Sequence, residues 1–260
     1  MQTQDSSSRE AETTATAFLR YQDSCASRLR YKLAQRNLDH LHSLRTPATV
    51  LDAAAGNGLM AEFLAAAGHS VTLYEIDPEM LRQARDRLDR IGLLARCTLV
   101  EGSLDTAART LAGRQFDLIV CHHVLEYVSA VAPILTAFRQ LAAPGGELSI
   151  ITLNPVSEVI RAIVFQHDPA AALVKLTDLR YDAKWFGQAT LRPSHEIVRC
   201  AGEAGWKFRD SRGIRAVADY CPQSQITEQR EAELLRLEEE LSGLDPFRQL
   251  ARYIQFAFHC

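Results

Sequence analysis

The chain has no run of about 18 consecutive apolar residues, so no membrane-spanning helix is expected. It also lacks an apolar leader. Met1 to Glu12 is polar and mixed in charge, offers nothing to bury, and is expected to be disordered ahead of one domain over residues 13–260. The expectation is therefore a cytoplasmic protein. No two of the six cysteines (Cys25, Cys97, Cys121, Cys200, Cys221, Cys260) stand at C-x-x-C spacing, which argues for reduced thiols and against a zinc site. Basic excess is missing too: 29 Lys and Arg face 32 Asp and Glu, a net charge of −3. That disfavours a partner held mainly through phosphates, which asks for a basic face. There is no internal repeat and no low-complexity tract beyond the Ser-rich start. An apolar fraction of 47% in 260 residues is ample for a full core.

Hydrophobic spacing opens with two helical patterns, Ala11–Tyr21 and Ser27–Leu44, the second repeating Leu29, Leu33, Leu38, Leu41 and Leu44 before Pro47. Strands are expected at Thr49–Ala53, Ser70–Tyr74, Arg96–Val100, Phe116–Cys121 and Glu147–Leu153. Helices fall between them, at Leu59–Ala67, Pro78–Ile91, Thr106–Ala112 and Ala132–Ala142. This alternation predicts an α/β fold, a parallel sheet with crossovers on both faces. The rhythm breaks over 154–193, where aromatics lie amid charged residues with no clean strand, as expected of a lid insertion. Beyond it lie a helix at Ser194–Ala204 with Ser194 as cap, and a strand at Trp206–Val217. A charged helix at Glu228–Leu241 follows, its apolar stripe Leu234, Leu235, Leu237 and Leu241 under a solvated face. The last strand is Arg252–His259.

The chemistry concentrates where the first strand turns into a helix, at Val50-Leu51-Asp52-Ala53-Ala54-Ala55-Gly56-Asn57-Gly58. Gly56 and Gly58 carry no Cβ to block a ligand from the backbone, and the next helix points its N-terminus there. Asp52 and Ala53 close the strand, where a carboxylate can order the loop and meet a cationic amine. Glu75 follows strand two, placed to accept from ribose hydroxyls. Ser103-Leu104-Asp105 follows strand three, where an adenine edge would sit. A nicotinamide enzyme would need a third glycine deeper in the helix, but Glu62 and Phe63 stand there and no glycine comes before Gly68.

These blocks resemble the class I S-adenosylmethionine-dependent methyltransferases, although Ala54 stands where a first glycine is common. The resemblance implies a Rossmann-like, mostly parallel seven-stranded sheet with helices on both faces, N-terminal helices and a lid. It makes S-adenosyl-L-methionine the cofactor and puts Cys121-His122-His123-Val124-Leu125-Glu126-Tyr127-Val128 near the sulfonium. Within that superfamily the chain is most similar to the bacterial tRNA carboxymethoxyuridine methyltransferases. The matches are Leu29-Arg30, the His122 block, Asn154, Gly213-Ile214-Arg215 with Asp219-Tyr220, Pro246-Phe247 and Leu250-Ala251-Arg252-Tyr253-Ile254. It departs from that subgroup in the lid, where a lysine run suited to tRNA phosphates is replaced by the mixed-charge stretch Leu173–Asp182.

On that resemblance Arg30 pairs with the methionine carboxylate, while Asp52, Ala53, Gly56, Gly58, Glu75, Ser103, Leu104 and His122 hold the cofactor. His122, and less so His123, are candidates for a base; Asn154 and Tyr181 complete the catalytic set, and no metal is expected. Tyr181, Trp185 and Phe186 can cover a sulfonium, and Arg215 with Tyr220 can bind an acceptor's carboxylate. The first functional expectation is methyl transfer to a small, polar, carboxylate-bearing molecule. The second is a lyase reaction in which the cofactor's own amine displaces methylthioadenosine to give azetidine-2-carboxylate. The third is tRNA modification, and the fourth a cofactor-binding regulatory module without turnover. A monomer and a homodimer both remain open.

Overall fold

The structure, a computed structural model, describes residues 24–183, 187–222 and 226–260. The expected helix Ala11–Tyr21, the first dozen residues, and Trp185 and Phe186 lie outside the described residues.

Helix α1 spans Cys25–Leu38, capped by the Ser24 side chain, which accepts from the Ser27 amide. The helix expected to reach Leu44 ends here. Asp39 closes it, its amide donating a hydrogen bond to the Arg36 carbonyl, and Leu41 turns extended before a 3₁₀ turn at His42–Arg45. Leu38 and Leu41 are both buried on either side of this break.

The next elements are β1 (Thr49–Ala53), α2 (Leu59–Ala66), β2 (Ser70–Glu75), α3 (Pro78–Arg90), β3 (Cys97–Glu101), α4 (Ala107–Thr110), β4 (Phe116–His122), α5 (Val131–Leu141) and β5 (Ala142–Leu153). Each lies within a few residues of its expected position. The largest difference is β5, which pairs with β4 already at Ala142, then skips to Glu147 opposite Leu118, so that the Pro-Gly-Gly turn bulges out of a strand begun earlier.

Segment 154–193 is more regular than its pattern implies. It holds α6 (Pro155–Val164), α7 (Pro169–Lys175) and the antiparallel pair β6 (Arg180–Ala183) and β7 (Gly187–Thr190). Both helices start alike: Asn154 and Asp168 cap through their side chains, and a proline fills the first helical position. Then come α8 (Ser194–Glu203), β8 (Lys207–Ile214), α9 (Glu228–Leu241), α10 (Phe247–Leu250) and β9 (Tyr253–His259). Ser194 is not the cap of α8; Pro193 occupies that position without a side-chain bond. Nor does α9 bury a purely leucine stripe. Its buried residues are Glu231, Leu234 and Glu238, while Leu237 is 47% exposed.

The seven-stranded sheet runs β3-β2-β1-β4-β5-β9-β8, parallel through β5, with β9 antiparallel between β5 and β8. Successive side chains alternate faces. Leu51, Ile119, Cys121, Ile150, Phe256 and Phe258 pack towards α5 and α8; Val50, Leu73, Leu118, Val120 and Ile151 pack towards α1, α2 and α3. Strand order reverses between β1 and β4, and a ligand crevice opens at the carboxyl ends beside such a switch point. The six cysteines are free thiols, and among the described residues no helix is long and apolar enough to cross a membrane.

Gly58 caps α2 at φ 80°, and a Cβ there would stand 3.0 Å from Ala84 Cβ on α3. Gly58→Ala combines a left-handed backbone with overpacking and is expected to destabilise the fold by about 1–3 kcal/mol, read by urea denaturation. Wild-type stability in that variant would refute the packing role.

Candidate functional site

At the carboxyl end of β1 the chain passes through three left-handed residues, Ala54, Gly56 and Gly58. Ala54 takes φ 62°, which is why a glycine is common there in the family it resembles. Its amide and that of Ala55 are held by the Tyr74 carbonyl of β2. Glu75 fastens the rest of the loop. One carboxylate oxygen accepts from the Gly56 amide at 2.8 Å, and the other from the Ile76 and Asp77 amides at 2.8 and 3.0 Å. A carboxylate has about four acceptor sites, so Glu75 can still receive a ligand hydroxyl.

This loop lines a cavity of about 1100 Å³ that runs across the strand ends. The two glycines have different tasks. Nothing lies within 4 Å of a Cβ placed on Gly56, whereas Gly58 packs against α3 and is not part of the cavity wall. Ala53 was expected at the ligand, but strand alternation turns it into the core, fully buried behind the sheet. Ser103 and Leu104 do line the cavity. They are set in place by Tyr74, whose hydroxyl donates to the Ser103 carbonyl at 2.8 Å; a Cβ on Gly102 would fall 2.3 Å from that hydroxyl.

Asp52 lies beneath the loop, and its Oδ2 is buried with no hydrogen-bond partner among the described residues. Burial first, and the neighbouring Glu75 carboxylate second, raise its carboxyl to about 7. Asp77, the cap of α3, and Asp105 line the same end, which is therefore acidic.

At the end of β4, His122 Nε2 lies 2.9 Å from Ser149 Oγ, which accepts from Gln255 Nε2 at 3.0 Å. Burial pulls His122 down to about 3, too weak a proton acceptor for the base expected of it. His123, at φ 60°, sets its ring edge-on to Tyr253 at 4.8 Å, and burial together with Arg30 keeps it well below the usual histidine range. Both rings line the cavity as neutral groups.

Asn154, expected in the catalytic set, does not line the cavity. Its Oδ1 caps α6 and its Nδ2 donates to the Gln249 and Ala251 carbonyls, both at 2.8 Å, away from the cavity. Tyr220 likewise lies outside the cavity wall, stacked on Phe165 at 5.9 Å. Tyr181 does reach the wall, where its hydroxyl accepts from Arg252 at 3.2 Å.

The far end of the cavity is basic. Arg30 from α1, Arg161 from α6, Arg215 and Arg252 all line it. The guanidinium carbons of Arg30, Arg215 and Arg252 each lie 5.8 Å from the Tyr253 ring centre. Asp219 pairs with Arg215 and, at 3.2 Å, with Arg161; Glu158 pairs with Arg252 and, at 3.8 Å, with Arg161. Burial pushes the Tyr253 phenol up, but the three arginines outweigh it and bring it to about 8. Arg161, Arg252 and Tyr253 were not singled out from the sequence as site residues. The only available signal was the run Leu250–Ile254, whose place beside β5 depends on an antiparallel pairing that local pattern does not reveal.

A cationic ammonium of S-adenosylmethionine placed beside Asp52 would favour its ionised form. The carboxyl is largely protonated below pH 7, so cofactor affinity should rise as pH increases through about 7 and level off above it. Calorimetry across pH 5.5 to 8.5, in roughly half-unit steps, reads this slope; Asp52→Asn should flatten it and weaken binding at pH 8. An equally steep slope in the variant would assign the proton elsewhere.

Residues 51–150 match the family described as Methyltransferase domain. The tRNA 5-carboxymethoxyuridine methyltransferase of Escherichia coli K12 is 26% identical over 233 residues, covering 87% of this chain and 86% of that protein. A ubiquinone biosynthesis O-methyltransferase of Aromatoleum aromaticum is 30% identical over 178 residues, covering 68% of this chain and 70% of that protein. An S-adenosylmethionine-dependent methyltransferase from Mesorhizobium loti shares the fold with a TM-score of 0.61 at 18% identity, over 92% of this chain and 99% of that one. With the sheet order, the acidic loop end and these matches together, the chain belongs to the class I S-adenosylmethionine-dependent methyltransferases.

Proposed function

We propose that this methyltransferase transfers its methyl group to a carboxylate oxygen of a small acceptor held at the arginine end of the cavity. One observation carries the reading: a single cavity is lined by Asp52, Glu75, Asp77 and Asp105 from around the ends of β1 to β3, and by Arg30, Arg215 and Arg252 gathered round Tyr253 of β9, with Arg161 beside Asp219 and Glu158. Of the residues proposed for the cofactor, Gly56, Glu75, Ser103 and Leu104 receive the adenosine part. Asp52 takes the ammonium and Arg30 the methionine carboxylate. Bound S-adenosylmethionine supplies a methyl carbon on a positively charged sulfur.

Arg215 and Arg252 then fix the acceptor's carboxylate by charge-assisted bonds, with the Tyr253 hydroxyl beside it. An oxygen lone pair forms the new O–C bond while the C–S bond breaks with its electrons going to sulfur, so no proton has to move. A carboxylate is ionised at neutral pH and needs no base, in keeping with walls whose histidines are neutral and poorly basic. The chain's share of catalysis is then placement and exclusion of water, with segment 154–193 as the cover.

A tRNA acceptor is the second reading. The E. coli relative is named for a carboxyl-bearing uridine, and the same arginines would suit that group. The net charge of −3 and the alternating charges of Lys175, Asp178, Arg180 and Asp182 weigh against a polyanion. The lyase alternative gains no support, since the relatives that the chain matches are named as methyltransferases.

Incubation with a panel of small carboxylic acids should release S-adenosylhomocysteine and a methyl ester, and bulk tRNA should not; product with tRNA alone, or methylthioadenosine from the cofactor alone, would overturn the reading. Arg215→Met should lower kcat/KM for the acceptor by about 10- to 100-fold, the scale of one lost charge-assisted bond, with cofactor affinity nearly unchanged. Above pH 8 the Tyr253 phenolate competes for the arginines, so acceptor KM should climb, and Tyr253→Phe should abolish that climb.

A further inference from the structure

We propose that α9 positions the basic end of the cavity, Glu238 by holding the backbone that presents Arg215, and Glu231 by holding the helix that carries Arg30. The functional weight of this inference rests on the reading of that end as the acceptor site; the geometry does not.

Glu238 is fully buried, and among the described residues it has no ion-pair partner. Its Oε2 accepts from the Ala216 amide at 2.7 Å, and its Oε1 from Val217 and Ala218 at 2.8 and 2.7 Å. Three consecutive amides thus close on one carboxylate, an arrangement that satisfies a buried charge without a cation. They follow directly on Arg215, which sits at φ 61°. A non-glycine residue holds that backbone only where its surroundings enforce it. Here they do so from both sides: the Arg252 amide donates to the Arg215 carbonyl at 3.0 Å, and Glu238 fixes the next three amides. Arg215 is thereby aimed at the Tyr253 ring with Asp219 as its companion.

Seven residues earlier on the same face, Glu231 accepts from Arg28 at 2.5 Å and from Lys32 at 3.3 Å, bracketing Arg30 on α1. Arg36 and Glu239, 3.3 Å apart, continue the seam. Between the two glutamates, Leu234 joins Leu29 and Ala218 in a small apolar cluster, one residue from each segment being positioned. A helix serving only to cover the core would bury leucines. This one buries two carboxylates beside a single leucine, at a desolvation cost that ordered partners offset.

The Tyr253 phenol reports the arrangement, because Arg30, Arg215 and Arg252 set it, with Asp219 opposing and His123 against its ring. Phenolate difference absorption of the full chain between pH 6 and 10, in steps of about 0.25, should show one early step. Tyr253→Phe identifies it by its loss. Glu238→Gln has one acceptor oxygen in place of two, leaving at least one amide unsatisfied. It should move the step up by about half a unit or more, with S-adenosylmethionine affinity within about two-fold of wild type. Sodium malonate, as an anion probe, should also raise the step in the wild type, and Glu238→Gln should need about ten times more of it. Glu231→Gln should act in the same direction more weakly, and Glu238→Asp tests the same claim should the glutamine variant fail to fold. An unmoved step in the folded Glu238 variants, or cofactor affinity falling in parallel in them, would overturn the positioning role; Glu231→Gln, which acts through Arg30, is expected to lower cofactor affinity as well. Malonate without effect on the wild type would instead refute the acceptor reading, while the shift between variants still judges the role of α9.

Discussion

Like charges gathered in a dry pocket repel, and the arrangement of Arg30, Arg215 and Arg252 around one tyrosine ring depends on what keeps them there. At short range in a medium of low polarity such repulsion reaches several kcal/mol. The electron-rich face of Tyr253 relieves part of it and the carboxylates of Asp219 and Glu158 relieve more. Asp219 and Glu158 each reach Arg161 as well, so two carboxylates are shared among three guanidiniums. The opposite end is built on the reverse imbalance, with the buried Asp52 close to Glu75. Each end is thus uncomfortable without the ligand of opposite sign, a preorganised field of the sort that favours one binding orientation over its reverse.

Much of the central fold is legible in the sequence because strands buried on both faces read as short apolar runs between turn residues. Thr49–Ala53 and Phe116–His122 are of this kind. Asp52, Gly56 and Glu75 could be placed for the same reason, since a parallel sheet delivers the ends of neighbouring strands to one edge. Errors arise where one residue's orientation decides the outcome. Ala53 and Ala54 are adjacent, yet strand alternation buries the first and turns the second to the cavity. Asn154 and Tyr220 sit in family-like positions, but one is spent on capping and the other on stacking with Phe165.

What pattern could not deliver is long-range or polar. Arg252 and Tyr253 reach the site because β9 inserts between β5 and β8, a pairing across about a hundred residues that leaves no local trace. Helix α9 was read through its leucines, as periodicity rules direct, while its two buried positions flanking Leu234 are glutamates. Such residues are recognised as interior only once their partners are known, here the 216–218 amides and the basic face of α1.

Glu75 has a consequence for how this enzyme is dissected. Its carboxylate braces the Gly56, Ile76 and Asp77 amides from inside the loop while facing the cavity from outside. Truncating it removes the loop's brace together with the sugar contact proposed for it, so a large loss there would overstate that contact. Only a paired comparison with a ribose-modified nucleoside separates the two contributions.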